Sequence, residues 1–296
     1  MPFTTTIEPS GFQMSHLVVV RSLSVDEPDT ASHIVEYVSG LGAVGDLGIT
    51  VEQIDCDGPG AFVEALNGLE RRASLSGLKP IIHVECHGDA HTGLHFRNGQ
   101  DLSWPDLSAG LARLNAATGF NLVAVFSACF GAHFLGQMDV SVPAPCLVLV
   151  APTDEVWPDE LMAGYRDFYR VLFNSSDAGA AVTSLSGRRL TTGAWFAKHA
   201  ELWFVEVVRR YLVDQCSRAA LETRAQSLAQ RAAANGVHKN TAQLIEDLRA
   251  VSIRTWTRDA FDSYFMIGDV PRNGRRFQAT REQMIREMKE RFDAAS

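Results

Sequence analysis

Two apolar runs of the chain each end at a chemically reactive residue. Residues 80–89 read Pro-Ile-Ile-His-Val-Glu-Cys-His-Gly-Asp, and residues 121–132 read Asn-Leu-Val-Ala-Val-Phe-Ser-Ala-Cys-Phe-Gly-Ala. Short runs that are rich in Val and Ile and bounded by turn residues are typical of buried parallel strands, whose carboxyl ends carry functional sites. Neighbouring strands lie about 4.8 Å apart, so His87 and Cys129 would meet at one substrate carbonyl if the two strands are neighbours. The pattern predicts a cysteine nucleophile with a histidine partner.

The order of the two residues along the chain narrows the choice of family. In enzymes with a Gly-x-Cys-x-Gly elbow the histidine follows the nucleophile, whereas here His87 precedes Cys129 and Ser127 stands in place of the first Gly. A His-Gly after one strand and an Ala-Cys-x-Gly 42 positions later resembles the caspase-like (clan CD) cysteine peptidases. Ala128, Cys129 and Gly131 match the Gln-Ala-Cys-x-Gly signature of that family, and Ser127 departs from it.

The segments around these motifs are most similar to the CHAT and separase-related branch of that family. Residues 93–102 predict a short hairpin, because Asn-Gly between apolar alternations is a strong turn signal, and residues 103–117 predict the helix before the cysteine strand. Residues 145–152 and the acidic segment 154–160 resemble the strand and the loop that follow the nucleophile in CHAT domains. The resemblance covers roughly residues 15–190.

The resemblance implies an activity and the residues that carry it. The activity is that of a cysteine endopeptidase, which cleaves a protein substrate through a thioester acyl-enzyme with Cys129 as nucleophile and His87 as its partner. The N–H groups of Gly88 and Cys129 are then the oxyanion donors, each worth about 2.7 to 4 kcal/mol in the transition state. The same resemblance implies a regulated, bacterial-type protease with a regulatory partner protein, and no cofactor.

Two other classes of function stay open on the sequence. One is a caspase-fold scaffold that keeps the two residues without the activity, and the other is a cysteine hydrolase or amidase that acts on a small molecule. A strand-end cysteine alone is more often structural, since free Cys is among the most buried residue types. Gly88 directly after the histidine and Gly131 two residues after the cysteine favour catalysis, because glycine permits a close approach of the backbone.

A histidine series offers a further alternative, a metal site. His83, His87, His91 and His95 recur every four residues, which on a helix would align four imidazoles on one face. Pro80 and the β-branched residues after it favour a strand, and the glycines that follow interrupt any helix, so the rings are expected to point in different directions. We therefore expect no metal site here.

Composition restricts the class of protein. The 296 residues are 46% hydrophobic and 21% charged, as in a globular protein, and the net charge of −8 offers no basic surface for nucleic acid. Five cysteines without regular spacing favour a reducing compartment. No basic segment followed by an apolar stretch stands at the start and no run of about 20 apolar residues occurs, so we expect neither secretion nor membrane spanning. We expect a cytoplasmic protein that binds neither nucleic acid nor membrane.

Strand-like and helical segments alternate through the first two thirds of the chain. Besides the two runs above, residues 16–21, 49–55 and 146–151 predict strands, and residues 30–40 and 62–72 predict helices. Such alternation predicts an α/β fold, here a three-layer α/β/α sandwich with a mostly parallel, caspase-like sheet.

A helical region is expected after this core. Residues 195–234 contain neither Gly nor Pro and are dense in Ala, Leu, Arg, Gln and Glu, which predicts one or two long helices. Thr241 begins another predicted helix, and residues 280–283, Thr-Arg-Glu-Gln, have the form of a capping box. We expect a peptidase core over 1–190 and a mainly helical region over 191–296 that packs on it.

Acidic loops predict which substrate residue is recognised just before the scissile bond. In caspase-like folds its side chain enters a pocket built from loops at the carboxyl ends of the strands around the nucleophile. Asp26 lies in the loop after the first strand, and Asp154 and Glu155 lie in the loop after the fifth. A partly buried carboxylate pairs with Arg or Lys and rejects Asp, so these residues predict a basic substrate. The alternative is an apolar pocket with solvated loop charges.

Overall fold

The apolar runs of the sequence form the central strands of a sheet in the computed structural model, which describes residues 9–294. The strands in this part of the chain are β1 His16–Arg21, β2 Thr50–Asp55, β3 Pro80–Glu85, β4 His87–Asp89, β5 Gly93–His95, β6 Asp101–Leu102, β7 Val123–Ser127, β8 Val148–Pro152 and β9 Trp195–His199. Six of them form one sheet in the order β2-β1-β3-β7-β8-β9. All neighbours in this sheet run parallel, except that β9 is antiparallel to β8.

Helices account for most of the remaining residues. Over residues 9–294 they are α1 Thr30–Ser39, α2 Gly42–Asp46, α3 Pro59–Ser76, α4 Trp104–Ala117, α5 Pro158–Ser175, α6 Ala178–Ser186, α7 Ala200–Gln215, α8 Arg218–Ala234, α9 Thr241–Arg254, α10 Ala260–Tyr264, α11 Asn273–Arg276 and α12 Gln278–Ala294. A 3₁₀ helix covers Gly131–Gln137, and a π-helical turn covers Thr255–Asp259. None of the helices within these described residues is both long and apolar enough to span a membrane.

Helices cover both faces of the six-stranded sheet. Val125 of β7 belongs to a buried cluster that includes residues of α1 and α5. The next residue, Phe126, points to the opposite face, because side chains alternate along a strand, and there its ring lies 6.2 Å from that of Trp104 at the start of α4. This arrangement confirms the predicted α/β fold with a mostly parallel sheet, and it is consistent with three layers.

The register of the sheet aligns the two strands that carry the reactive residues. β3 and β7 are direct parallel neighbours, with Ile81 opposite Val123 and Glu85 opposite Ser127. The chain after β3 enters a small antiparallel sheet, β4-β5-β6, in which Leu94 pairs with Leu102. The condition that the two strands are neighbours is met, and the predicted hairpin over residues 93–102 is confirmed.

The region after residue 190 differs from its prediction in two places. Residues 195–199 were expected to be helical but form β9, the antiparallel edge strand, and long helices begin only at Ala200. The expected capping box at residues 280–283 is wrong, because α12 begins at Gln278 and the Thr280 hydroxyl inside it donates a hydrogen bond to Glu201. Local composition indicated helix at residues 195–199, and pairing with β8 decided otherwise.

The described chain divides into two units. One contains residues 11–139 and 144–200 and holds both sheets, and the other contains residues 9–10, 140–143 and 201–294. The first unit extends past the predicted boundary at residue 190, since β9 is part of its sheet.

We expect Phe134→Ala to lower the free energy of unfolding by about 3 to 5 kcal/mol, the usual cost of truncating a buried aromatic ring. Phe134 is completely buried, and its ring lies 5.2 Å from that of Phe126 and 6.1 Å from that of Trp104. Urea unfolding followed by tryptophan fluorescence measures the loss. The control Val25→Ala, at a side chain that is 89% exposed, should change stability by less than about 0.5 kcal/mol. Equal effects of the two variants would contradict this account of the core.

Candidate active site

His87 and Cys129 line one cavity of about 610 Å³ at the carboxyl ends of β3 and β7. Both residues lie directly beyond paired strand ends, which is where open α/β sheets carry their binding sites. The amino-terminal ends of α1 and α5 complete the cavity through Thr30 and Pro158. The structure therefore brings together the imidazole and the thiol that the sequence singled out.

Gly88 lies against the backbone of the cysteine. A Cβ atom at Gly88 would lie 2.2 Å from the carbonyl oxygen of Cys129 and 3.2 Å from the Cβ of Ala128. No side chain fits at that separation, so only glycine allows the chain after β3 to approach the chain after β7 this closely. This contact juxtaposes the two backbone segments that the resemblance assigns to the oxyanion site.

The Cys129 thiol is half-buried and held by a neighbouring loop. Its Sγ accepts a hydrogen bond from the Val156 N–H at 3.5 Å and donates one to the Val156 carbonyl at 3.8 Å. The sulfur thus has both a donor and an acceptor on the Val156 backbone. Within residues 9–294 the N–H of Cys129 itself has no hydrogen-bond partner, so it is available to a ligand oxygen.

The turn after the nucleophile has a strained backbone. Phe130 has φ 57° and ψ 17°, in the left-handed region that favours glycine, and its N–H donates to the Asp154 carbonyl at 3.1 Å. Non-glycine residues in this conformation occur where the surrounding structure holds them, often at functional sites. The left-handed conformation of Phe130 turns the chain sharply into the 3₁₀ helix and leaves Cys129 at the cavity surface.

The imidazole of His87 has a carboxylate partner that the sequence did not reveal. Its Nε2 contacts Oε1 of Glu27, which follows β1, and Oε2 of Glu27 accepts the Ser24 N–H at 2.6 Å. Burial alone would raise the pKa of Glu27, but the Ser24 and His87 hydrogen bonds outweigh it, so the pKa is lowered. The only signal in the sequence was an acidic loop after β1, which becomes specific once β1 is known to neighbour β3.

His87 and Cys129 make no hydrogen bond with each other in the described chain. Nε2 of the ring is directed to Glu27, and Nδ1 has no partner among residues 9–294. Nδ1 is therefore the nitrogen that is free to exchange a proton with the thiol or with a substrate. Such contacts are often long in a ligand-free site and shorten when substrate binds.

Of the predicted substrate-binding carboxylates, Glu155 lines the cavity and Asp26 and Asp154 do not. Asp26 is exposed, and Asp154 accepts the N–H of Glu155 at 2.8 Å. Other acidic residues of the same two loops cap helices. Asp29 accepts the Ser32 N–H at the start of α1, and Glu160 accepts the Trp157 N–H at the start of α5. Much of the loop charge thus balances the positive amino-terminal ends of helices.

The loop at residues 191–194 forms part of the cavity wall, although the predicted boundary excluded it from the core. The Thr192 hydroxyl donates to the Glu155 carbonyl, and the Ala194 N–H donates to Thr153 Oγ1 at 2.8 Å. Thr191 and Thr192 line the cavity. The edge strand β9, which follows this loop, anchors it beside the site.

The other four thiols are buried. Burial raises the pKa of Cys56 to about 11 and that of Cys146 to about 12, and it raises the pKa of Cys216 and, most strongly, of Cys86. Cys86 lines the cavity, and its Sγ donates to the His95 carbonyl at 2.9 Å. These environments favour the protonated thiol, so none of the four has the character of a nucleophile.

Three histidines of the i, i+4 series have separate side-chain partners, and the fourth, His91, contacts Asp89 through its backbone N–H. His83 is buried in β3, His87 contacts Glu27, and the exposed His95 at the end of β5 contacts Asp101 at 2.7 Å. Among residues 9–294 no group of three or more His, Cys, Asp or Glu side chains is arranged to hold a metal ion.

Compared with protein-family models and with curated proteins, the chain matches none of them. The resemblance to caspase-like peptidases therefore depends on the short motifs at His87 and Cys129 and on the segments around them.

We expect a thiol-alkylating reagent to label Cys129 selectively in the native protein at neutral pH. Cys129 is the only half-exposed cysteine within the described chain, and the other four are buried and protonated. Peptide mapping by mass spectrometry locates the label, and Cys129→Ala should abolish it. Denatured protein should be labelled at all five cysteines. Fast labelling of Cys56 in the native state would contradict the burial described above.

We expect Glu27→Gln to alter the pH dependence of stability on the acid side. A carboxyl whose pKa is lowered by folding stabilises the protein above its ordinary value of 4.5, and that contribution is lost as pH falls through the lower folded value. The difference in unfolding free energy between wild type and Glu27→Gln should therefore shrink between about pH 6 and about pH 3. The matched control Glu64→Gln, at an exposed position of α3, should show no such trend.

Proposed function

We propose that this protein is a cysteine endopeptidase in which Cys129 is the nucleophile, His87 moves the proton and Glu27 positions the imidazole. The observation that carries this proposal is that His87 and Cys129 share one cavity, with the Gly88 backbone against that of Cys129. A nucleophile, a base and an orienting carboxylate within one site are the parts that thiol catalysis requires.

The proton path follows from the two ring nitrogens of His87. Nε2 contacts Glu27, so Nδ1 is the atom that accepts the thiol proton of Cys129. The Glu27 carboxylate favours the imidazolium that results and fixes the plane of the ring. The Val156 N–H, 3.5 Å from Sγ, holds the sulfur at the cavity surface.

Acylation then breaks the peptide bond in two steps. The Cys129 thiolate attacks the carbonyl carbon, and the carbonyl oxygen takes the negative charge, where the N–H groups of Gly88 and Cys129 donate hydrogen bonds to it. The His87 imidazolium donates its proton to the amide nitrogen, the C–N bond breaks, and the amine leaves. A thioester remains on Cys129. Water attacks this thioester with His87 as the base, and the acid product is released.

The cavity mouth suits a polypeptide substrate. Trp157 lines the mouth with 65% of its side chain exposed, and an exposed aromatic ring beside a cavity is a common contact surface for a bound chain. We extend the proposal to a cytoplasmic protease with a protein substrate and a regulatory partner. Five free cysteines support a reducing compartment, and the partner rests on the resemblance alone.

We expect Cys129→Ala and His87→Ala each to reduce peptide cleavage by at least about 1000-fold, and the double variant to be little worse than either single one, because residues that act as a unit are non-additive. Initial rates on a peptide library measure this. Cys56→Ala, which removes a buried thiol outside the cavity, is the matched control and should keep wild-type turnover. Independent, multiplicative losses would contradict the dyad.

A comparison of protein fragments tests the endopeptidase assignment itself. Cell extract is incubated with wild-type protein or with Cys129→Ala, and the new amino termini are identified by mass spectrometry. Termini that depend on Cys129 support the proposal. Absence of such termini, together with Cys129-dependent turnover of small amides or esters, would instead identify a small-molecule hydrolase. Absence of both would identify a silent scaffold.

A further inference from the structure

The loop between α6 and β9 is open to solvent and forms part of the cavity wall. Residues 187–194 read Gly-Arg-Arg-Leu-Thr-Thr-Gly-Ala, contain neither helix nor strand, and are exposed except for the half-buried Leu190. Thr191 and Thr192 of this loop line the cavity that contains Cys129. The loop is therefore accessible to another protein and is also in contact with the candidate site.

A contact between a hydroxyl and a carboxylate ties this loop to the start of α5. The Thr191 hydroxyl and the Thr191 N–H both donate to Glu160 Oε1, each at 2.7 Å, and Glu160 Oε2 accepts the Trp157 N–H at 3.2 Å. The hydrogen bond from the hydroxyl is the main cause that lowers the pKa of Glu160, so this carboxylate is ionised at neutral pH. An ionised carboxylate only accepts hydrogen bonds, so the contact depends on the hydroxyl hydrogen of Thr191.

Two arginines stand directly before this threonine. Arg188 and Arg189 are three and two positions before Thr191, and both are exposed. Arg188 forms a surface ion pair with Asp167 at 2.5 Å, and such pairs contribute little to stability, so a partner protein can replace it. Protein kinases select substrates partly by charge, and kinases with an acidic recognition surface accept a Ser or Thr that follows a pair of arginines. The loop has the charge pattern of such a substrate.

The sequence contains the same pattern at a second place, where the fold does not present it. Residues 71–74 read Arg-Arg-Ala-Ser, but they lie in the last turns of α3. Ala73 is only 4% exposed, and Arg72 is paired with Glu52 at 2.7 Å. A kinase binds its substrate as an extended chain, so this segment would first have to unwind and lose its packing. Residues 187–194 need no such unwinding.

We propose that Thr191 is a phosphorylation site for a serine/threonine protein kinase that recognises basic residues, and that phosphorylation detaches the loop from α5. In this reaction the γ-phosphorus of ATP forms a bond to Thr191 Oγ1, the bond to the ADP oxygen breaks, and the hydroxyl proton passes to a base of the kinase. Phosphothreonine has no hydrogen on Oγ1 to donate, and it adds a charge of about −1.5 to −2 beside the ionised Glu160. Both changes oppose the contact with Glu160.

The same loop reaches the nucleophile through one further contact. The Thr192 hydroxyl donates to the Glu155 carbonyl, and the next residue, Val156, donates its N–H to the Cys129 sulfur at 3.5 Å. A loop released at Thr191 no longer confines this side of the cavity. We therefore expect phosphorylation to widen the cavity mouth and to speed the reaction of the Cys129 thiol with bulky reagents.

Site mapping in the native full-length protein tests the modification. The protein is incubated with ATP, Mg²⁺ and the catalytic subunit of cyclic-AMP-dependent protein kinase, which has this specificity, and phosphopeptides are identified by mass spectrometry. We expect phosphate on Thr191 and none on Ser74. Thr191→Val should abolish the incorporation, and the matched control Thr192→Val should retain it. Phosphate on Ser74 or Thr192 instead of Thr191, or no incorporation at all, would overturn the site.

Alkylation of Cys129 tests the consequence without any use of peptidase activity. The rate of labelling by a bulky maleimide is compared between unmodified and fully phosphorylated protein. We expect phosphorylation to raise this rate about 5-fold, the scale of losing one or two hydrogen bonds, and Thr191→Val, which removes the hydroxyl without adding charge, to raise it less. Kinase treatment of Thr191→Val should add no further change. An equal or slower rate in the phosphorylated protein would contradict the coupling between loop and cavity, whether or not the protein cleaves peptides.

Discussion

The parallel register between β3 and β7 is the constraint on which the candidate site depends. Because Glu85 stands opposite Ser127, the two chains leave the sheet at the same level, and His87 and Cys129 follow within two residues. A slip of one residue would exchange the two faces of a strand. In β3 it would exchange the buried polar residues His83 and Glu85 with Ile82 and Val84. Since both faces of this strand are buried, packing forbids the slip and holds the site geometry.

Helix α5 couples the buried core to the cavity. It begins at the cavity wall, and one turn apart on its inner face it carries Tyr165 and Tyr169. The Tyr165 hydroxyl donates to the Phe126 carbonyl at 2.7 Å, and that of Tyr169 meets His83. A buried hydroxyl needs a partner, and each of these partners lies on a strand that leads into the site. The position of α5 and the orientation of Glu85 are thus parts of one hydrogen-bonded network.

Loops around the nucleophile are held by backbone contacts rather than by long side chains. Phe130 donates to the Asp154 carbonyl, Val156 contacts the Cys129 sulfur through both its backbone groups, and Thr153 exchanges hydrogen bonds with Ala194. Backbone groups lose little entropy when a ligand arrives, so a site built from them is already ordered. This order gives the unpaired N–H of Cys129 a defined direction.

Local patterns in the sequence were sufficient for much of the fold and for the central residues of the candidate site. Apolar runs bounded by turn residues located β1, β3, β7 and β8 to within two residues, because a strand buried on both faces is apolar along its whole length. The reactive residues at the ends of two of those runs predicted a shared cavity, and His87 and Cys129 do share one. The roles of Gly88 and Cys129 as oxyanion donors stay predictions, and the contact between their backbones is a finding of the structure.

Only the tertiary structure decided the features that depend on which strands are neighbours. The sequence of residues 195–199 alone predicts a helix. The segment forms the strand β9 because it pairs with the open edge of β8. In the sequence, Glu27 is one of several acidic residues in its loop. The pairing of β1 with β3 places it against His87. The sequence shows Glu85 only as a strand residue close to a histidine. Its buried hydrogen-bond network with His83 and Tyr169 forms because α5, which is distant in the chain, packs on β3. Sequence patterns report how each residue is buried locally, whereas charge pairing depends on contacts between segments that are distant in the chain.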